Sequence, residues 1–131
     1  MLDIGSIYHN PQIPPGYYYI KVVDLQSEPM DGYTMPKVLV RLKLHSDHGL
    51  GDDVVLSAIV YPTPNAKFIY MNFLNTFLQN HETEIEKVMN CWGCIKVYSA
   101  QYGEAEYSAV RWVRQIPDVK RIIAKITADE N

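Results

Sequence analysis

The sequence predicts an all-β domain with helical elements, and three observations support this fold class. Apolar and polar residues alternate in three early segments, and a period of two is typical of β-strands. A middle segment instead repeats its apolar residues at spacings of three and four, which predicts an amphipathic helix. Two more strand-like segments follow, separated by a glycine, as in a β-hairpin. The length of 131 residues suits a single domain.

The three early strands are GYYYIKVVDL, PKVLVRLKLH and VVLSAIVYP, the last of which is ended by Pro62. The second strand has the clearest alternation, because one face is wholly apolar and the opposite face is mostly basic. We therefore expect Val40 and Leu42 to be buried and Arg41 to be exposed. A slip of one residue would exchange the two faces, so the pattern specifies the register.

The predicted helix lies in NAKFIYMNFLNTFLQN and begins after an N-cap at Asn65. The next segment, HETEIEKVMN, could add one or two helical turns, because Thr83 and Glu86 fit a capping box. The expected apolar face of the first helix consists of Phe68, Met71, Leu74, Phe77 and Leu78.

Two late strands, at about 94–99 and 106–114, are expected to meet at a turn around Gly103, and DVKRIIAKITADEN predicts a C-terminal helix. The order is thus three strands, a helix and a hairpin. The five-stranded Greek-key barrel known as the OB fold fits this order, with its helix between strands three and four. We expect such an OB-type barrel, a C-terminal helix, and the following division of the chain: N-terminal arm 1–15, OB-fold domain 16–116, C-terminal helix and tail 117–131.

Composition narrows the class of protein. A formal charge of −3 and a pI near 5.7 lack the basic character of a duplex DNA binder, although they allow a locally basic surface. No apolar run approaches the ~18 residues of a membrane helix, and no signal peptide is recognisable, so we expect a cytoplasmic protein. Motifs for nucleophilic, metal-dependent or nucleotide-dependent catalysis are missing, so we expect neither an enzyme nor a cofactor.

The segment CWGC contains the only two cysteines, Cys91 and Cys94, at the spacing of a redox dithiol or half a zinc site. A redox pair is expected at a helix N-terminus, whereas this pair precedes a strand, and no paired histidines complete a zinc site. We therefore expect ordinary thiols and no metal, with a redox or metal site as the alternatives. Between the cysteines, Gly93 suggests a sharp turn into the strand or a bulge. Core packing is the expected use of Trp92, and stacking on a ligand is the alternative.

The positions of the basic residues indicate a binding surface. Several basic positions in the predicted strands alternate with core residues, so they share the outer face with tyrosines. Cations that contact phosphates, beside aromatic rings on which bases stack, are what single-strand binding requires. The alternative is an ordinary solvated face, because exposed strands favour lysine in any case. The candidate nucleic-acid-binding residues are Tyr17, Tyr19, Lys21, Lys37, Arg41, Lys43, Lys96, Tyr98 and Arg111.

Several segments between residues 13 and 117 resemble a family of small phage and prophage proteins. The shared pattern is Pro-x-Gly-x-Tyr at the start of strand one (PPGYY here), a strand of alternating apolar residues (PKVLVRLKL), a helix (AKFIYMNFLNTFL) and a Gly-led hairpin ending in VRWVRQIP. The resemblance implies an OB fold and a relationship to the single-stranded DNA-binding proteins of phage replication or recombination modules. It implies no catalytic residue. The ending TADEN lacks the long acidic tip through which typical single-strand binders recruit partners.

From the residues and the resemblance together we expect a protein that binds single-stranded DNA, or RNA, with little sequence preference. Its setting would be DNA replication or recombination in the cytoplasm of a bacterial host. Replication or recombination proteins and a second copy of the chain are compatible partners, and a membrane is not. The alternative is an OB-fold protein-interaction module of a phage-like assembly that binds no nucleic acid.

Overall fold

A computed structural model describes residues 10–29, 32, 36–50, 54–78 and 84–130. The elements are β1 (Gly16–Glu28), β2 (Lys37–Leu44), β3 (Val55–Val60), α1 (Lys67–Phe77), β4 (Trp92–Tyr102), β5 (Ala105–Val113) and α2 (Pro117–Glu130). Short 3-10 helices lie at Ser46–His48, Pro64–Ala66 and Ile85–Val88. The described part of the chain is thus mostly β, with two α-helices. None of the helices in these ranges is long and apolar enough to cross a membrane.

The five strands form one antiparallel sheet in the order β3-β2-β1-β4-β5. The central strand β1 is long enough to pair on both sides, with β4 from Gly16 to Lys21 and with β2 from Ile20 to Glu28. Its register with β2 shifts at Val23, and such a bulge bends a strand and increases its twist. The bend allows the sheet to curl, so that the edge strands β3 and β5 approach each other.

Asn10 connects these two edge strands. Its buried side chain donates from Nδ2 to the carbonyl oxygens of Ser57 in β3 and Ser108 in β5, both at 2.9 Å. Its Oδ1 accepts from the Ser57 amide at 2.8 Å. Ile13 then buries its side chain in the core and donates its amide to the Ser108 hydroxyl at 2.9 Å. The described part of the expected N-terminal arm is therefore built into the sheet.

The core lies on the inner face of the curled sheet, and β2 has the predicted register. Val40 and Leu42 have no exposed surface, whereas the Arg41 side chain is 38% exposed. Leu39 departs from simple alternation, because it is buried although it shares the face of Arg41. The late hairpin is also confirmed, with Gly103 at φ 63° in its two-residue turn.

Helix α1 packs through its C-terminal half, and this corrects the predicted apolar face. Phe68 is 84% exposed because the first turn of the helix extends away from the core. Phe73, which was not assigned to that face, is fully buried and meets the rings of Phe77 and Trp112 edge-on at 5.5 and 4.8 Å. Helix α1 also begins later than predicted, because Asn65 lies in the preceding 3-10 helix.

The capping-box prediction centred on Thr83 lies outside the described residues. A 3-10 helix does follow at Ile85–Val88, and its N-cap is Glu84, which makes no side-chain capping hydrogen bond.

Gly93 is required by the close approach of α1 and does not mark a bulge. The β1–β4 pairing continues past it without a shift, with Ile20 opposite Gly93. A Cβ atom at this position would lie 2.6 Å from Cε1 of Phe77 and 2.8 Å from Cγ2 of Thr76. The strand can therefore pass under the helix only without a side chain here.

Candidate functional site

The outer face of β1, β4 and β5 carries a cluster of cations and aromatic rings. The register places Tyr17 opposite Lys96, and Lys96 opposite Arg111. Lys96 Nζ lies 5.7 Å from the centre of the Tyr17 ring, and the Arg111 guanidinium lies 5.6 Å from the Tyr98 ring. Tyr17 is 63% exposed and Tyr98 41%. We call these four residues the Tyr17 cluster; all four were candidates from the sequence.

A second group lies further along the same face, where β1 pairs with both neighbours. Lys21 stands opposite Lys43 in β2 and opposite Trp92 in β4. Lys21 Nζ lies 5.9 Å from the Trp92 ring, and the ring of His45 meets Trp92 edge-on at 5.3 Å. These side chains line a pocket of about 430 Å³, here called the Trp92 pocket, which Asp129 of α2 also lines.

Trp92 corrects the expectation that it packs in the core. It is half-buried, and its ring contacts a lysine and a histidine on the outer face instead of the apolar cluster inside. The sequence did contain a signal for this orientation. Trp92 is separated by an even number of residues from Cys94, Lys96 and Tyr98, and every second residue of a strand points to the same face, here the outer face of β4.

Tyr19 lies between the two groups and fixes the turn after β2. Its amide donates to Nε2 of His48 at 3.0 Å, and its carbonyl accepts from the amide of His45 at 2.8 Å. The His48 ring also lies 4.7 Å from the Tyr18 ring. Burial, with a smaller contribution from His45, lowers the pKa of His48, so the neutral acceptor form is favoured. This turn thereby positions His45 beside Trp92.

The remaining two candidates, Lys37 and Arg41, lie at the other end of β2, where acids face them. Arg41 Nε lies 3.9 Å from a carboxylate oxygen of Asp24. Lys37 stands opposite Glu28 in the β1–β2 pairing. Both acids belong to β1, so they reduce the positive potential of this part of the face. The structure therefore groups Lys43 with Lys21, away from Lys37 and Arg41.

The two cysteines have the features of structural thiols. Both are free, and Cys91 donates from Sγ to the carbonyl oxygen of Lys87 at 3.2 Å. Burial raises the pKa of both thiols, that of Cys94 to about 11, whereas a reactive cysteine has a lowered pKa. In the described ranges no group of three or more His, Cys, Asp or Glu side chains could hold a metal ion.

The chain matches no protein-family model, and no curated protein shows significant sequence similarity to it. The chemistry of the outer face is therefore the guide to function. Three cation–aromatic pairs on the outer face of the sheet can bind a flexible polyanion that carries flat rings.

Proposed function

We propose that this protein is an OB-type barrel that binds single-stranded DNA with little sequence preference. The sheet order and the position of α1 between β3 and β4 support the barrel, because the OB fold combines five such strands with a helix at that point. In a Greek-key barrel of this order, β3 would close against β5, which is where Asn10 bridges the two strands.

The observation that carries the proposal is the alignment of the Tyr17 cluster and the Trp92 pocket on one face. Lysines and an arginine provide phosphate contacts, and each lies beside an aromatic ring on which a base can stack. Stacking on such rings contributes ~1–3 kcal/mol per base and is tolerant of sequence, since every base has a π-face. A local cationic face can act in this way even though the whole chain carries −3.

The proposed setting is DNA replication or recombination of a phage-like element in a bacterial cytoplasm. This setting is supported by the resemblance of the sequence motifs to phage and prophage proteins.

The test is fluorescence anisotropy with a labelled oligothymidine of ~30 nucleotides at ~50 and ~200 mM salt, because released counterions make phosphate contacts salt-dependent. The variants Lys21→Glu and Lys96→Glu should each weaken binding and flatten the salt dependence by about one unit per lost contact. Lys67→Glu, at an exposed position outside both groups, is the matched control and should bind like the wild type. Absence of wild-type binding at ~50 mM salt, where electrostatic attraction is strongest, would refute the proposal.

A protein-interaction module of a phage-like assembly is the second candidate. Phe68 and Ile69 favour it, because they expose 84% and 59% of their surface side by side on α1. Such neighbouring apolar side chains are typical of contact sites between proteins. Association that withstands high salt, without any binding of oligonucleotide, would select this function.

A further inference from the structure

A groove runs between the edge strands β3 and β5, next to the Tyr17 cluster and separate from the Trp92 pocket. In the described residues these two strands form no ladder with each other, and beyond the Asn10 bridge they leave a space of about 520 Å³. Its lining includes Ile59 of β3, Tyr61 directly after β3, and Tyr107 and Trp112 of β5. The volume is that of a small-ligand site.

The chemistry of the lining suits an unpaired nucleobase. Tyr61, Tyr98 and Tyr107 provide ring surfaces, and Asn72 of α1 adds an amide that can both donate and accept hydrogen bonds. Aromatic faces combined with a few polar groups are how proteins bind a base that has left its stack. Arg111, which also lines the groove, can neutralise the phosphate attached to that base.

The groove is continuous with the proposed binding face. Tyr98 and Arg111 belong to the Tyr17 cluster and also line the groove. A strand that follows the cations of β4 and β5 would therefore reach the groove without a break in its contacts. An extended peptide would fit the free strand edges, but it would make no use of the shared arginine and tyrosine.

We propose that this groove is a base-binding subsite, into which a single strand bound on the outer face of β4 and β5 inserts a nucleobase beside Tyr61. This inference rests on the proposed function. It adds a position at which the strand leaves the sheet surface.

The test is a titration of Tyr61→Ala with the same oligothymidine. The loss of one stacking ring should weaken binding about 5- to 100-fold with little change in salt dependence, because stacking releases few ions. Tyr61→Phe should bind like the wild type, because it keeps the ring. The matched control is Phe68→Ala, which removes a more exposed aromatic ring outside the groove and should have no effect.

Photo-crosslinking provides a second measurement that does not depend on a substitution. Oligothymidines with 5-iodouracil at a single position should crosslink to the wild-type protein at Tyr61 or Tyr107, as mapped by mass spectrometry. Crosslinks confined to Tyr17 and Trp92, together with unchanged binding by Tyr61→Ala, would overturn the subsite while leaving the proposed function intact. Absence of any wild-type binding would overturn both, and capture of a peptide by the groove in its place would identify it as a protein site.

Discussion

Substitution of Gly93 by alanine should destabilise the protein strongly, although alanine is a small residue and Gly93 lies in a regular strand. A Cβ atom here would meet Phe77 at 2.6 and 2.8 Å and Thr76 at 2.8 Å. Neither neighbour can withdraw easily. Thr76 is fully buried and β-branched, and the ring of Phe77 is held by contacts with Phe73 and Trp112.

The magnitude follows from overpacking. Extra carbon atoms in a well-packed core cost ~1–3 kcal/mol, and the upper half of that range applies because every close contact is under 3.0 Å. With a urea m-value of ~1–3 kcal/mol/M, the unfolding midpoint should fall by roughly 1 M. The strand preference of alanine over glycine acts in the opposite direction, but its effect is below ~1 kcal/mol.

Urea unfolding followed by tryptophan fluorescence and by far-UV circular dichroism measures this loss. The double variant Gly93→Ala/Phe77→Leu provides the control, because a shorter side chain at position 77 makes room for the added methyl group. The effect of Gly93→Ala should therefore be smaller in the Phe77→Leu background than in the wild type, an interaction that a double-mutant cycle isolates. If Gly93→Ala costs less than ~0.5 kcal/mol, the range of ordinary surface substitutions, helix α1 does not pack on β4 as described.

Three further predictions concern single side chains. Because the pKa of His48 is lowered, the unfolded chain takes up the proton first as the pH falls. The contribution of His48 to stability should therefore be complete above pH 6.5 and decline below it. In thermal melts at a series of pH values, His48→Gln should flatten this dependence of the melting temperature on pH. Parallel curves of melting temperature against pH for the variant and the wild type would contradict the role of His48. Asn10→Ala should cost ~1–3 kcal/mol in urea unfolding, since it leaves buried backbone groups of β3 and β5 without partners, and an unchanged midpoint would show that Asn10 does not bridge the strands. Cys94 should react slowly with iodoacetamide at pH 8 in the folded protein and rapidly in urea, because burial raises its pKa to about 11; fast alkylation in the native state would identify an activated thiol.

The strands and the hairpin could be predicted because periodicity reports directly which side chains face inward. In β2 the alternation assigns Val40 and Leu42 to the core, and both are fully buried. The same reasoning places Tyr17 and Lys96 on the outer face, where they form a cation–aromatic pair.

Features that depend on contacts between distant segments could not be predicted in this way. Asn10 precedes the first strand in a proline-rich segment, and its role depends on where β3 and β5 end up in space. Gly93 suggested a bulge because glycine in a strand has several causes, and only the position of α1 distinguishes them. Helical periodicity identified α1 but not the length over which it touches the sheet, so Phe68 was assigned to the wrong environment.

The bulge in β1 determines where an acidic side chain faces the basic residues of β2, and it thereby changes which cations are expected to bind phosphate. Strict alternation from Lys21 would put residue 23 on the outer face and turn Asp24 inward. The bulge at Val23 resets the alternation, so Asp24 faces outward and lies opposite Arg41. Strand β2 is the most basic strand of the sequence, and its charge is therefore partly neutralised in the half that pairs with β1 after the bulge. Before the bulge, Lys21 and Lys43 stand opposite each other, and like charges in directly opposite positions of neighbouring strands repel each other. A bound phosphate would relieve this repulsion, which is why Lys21 and Lys43, and not Lys37 and Arg41, are the pair around which phosphate binding is expected.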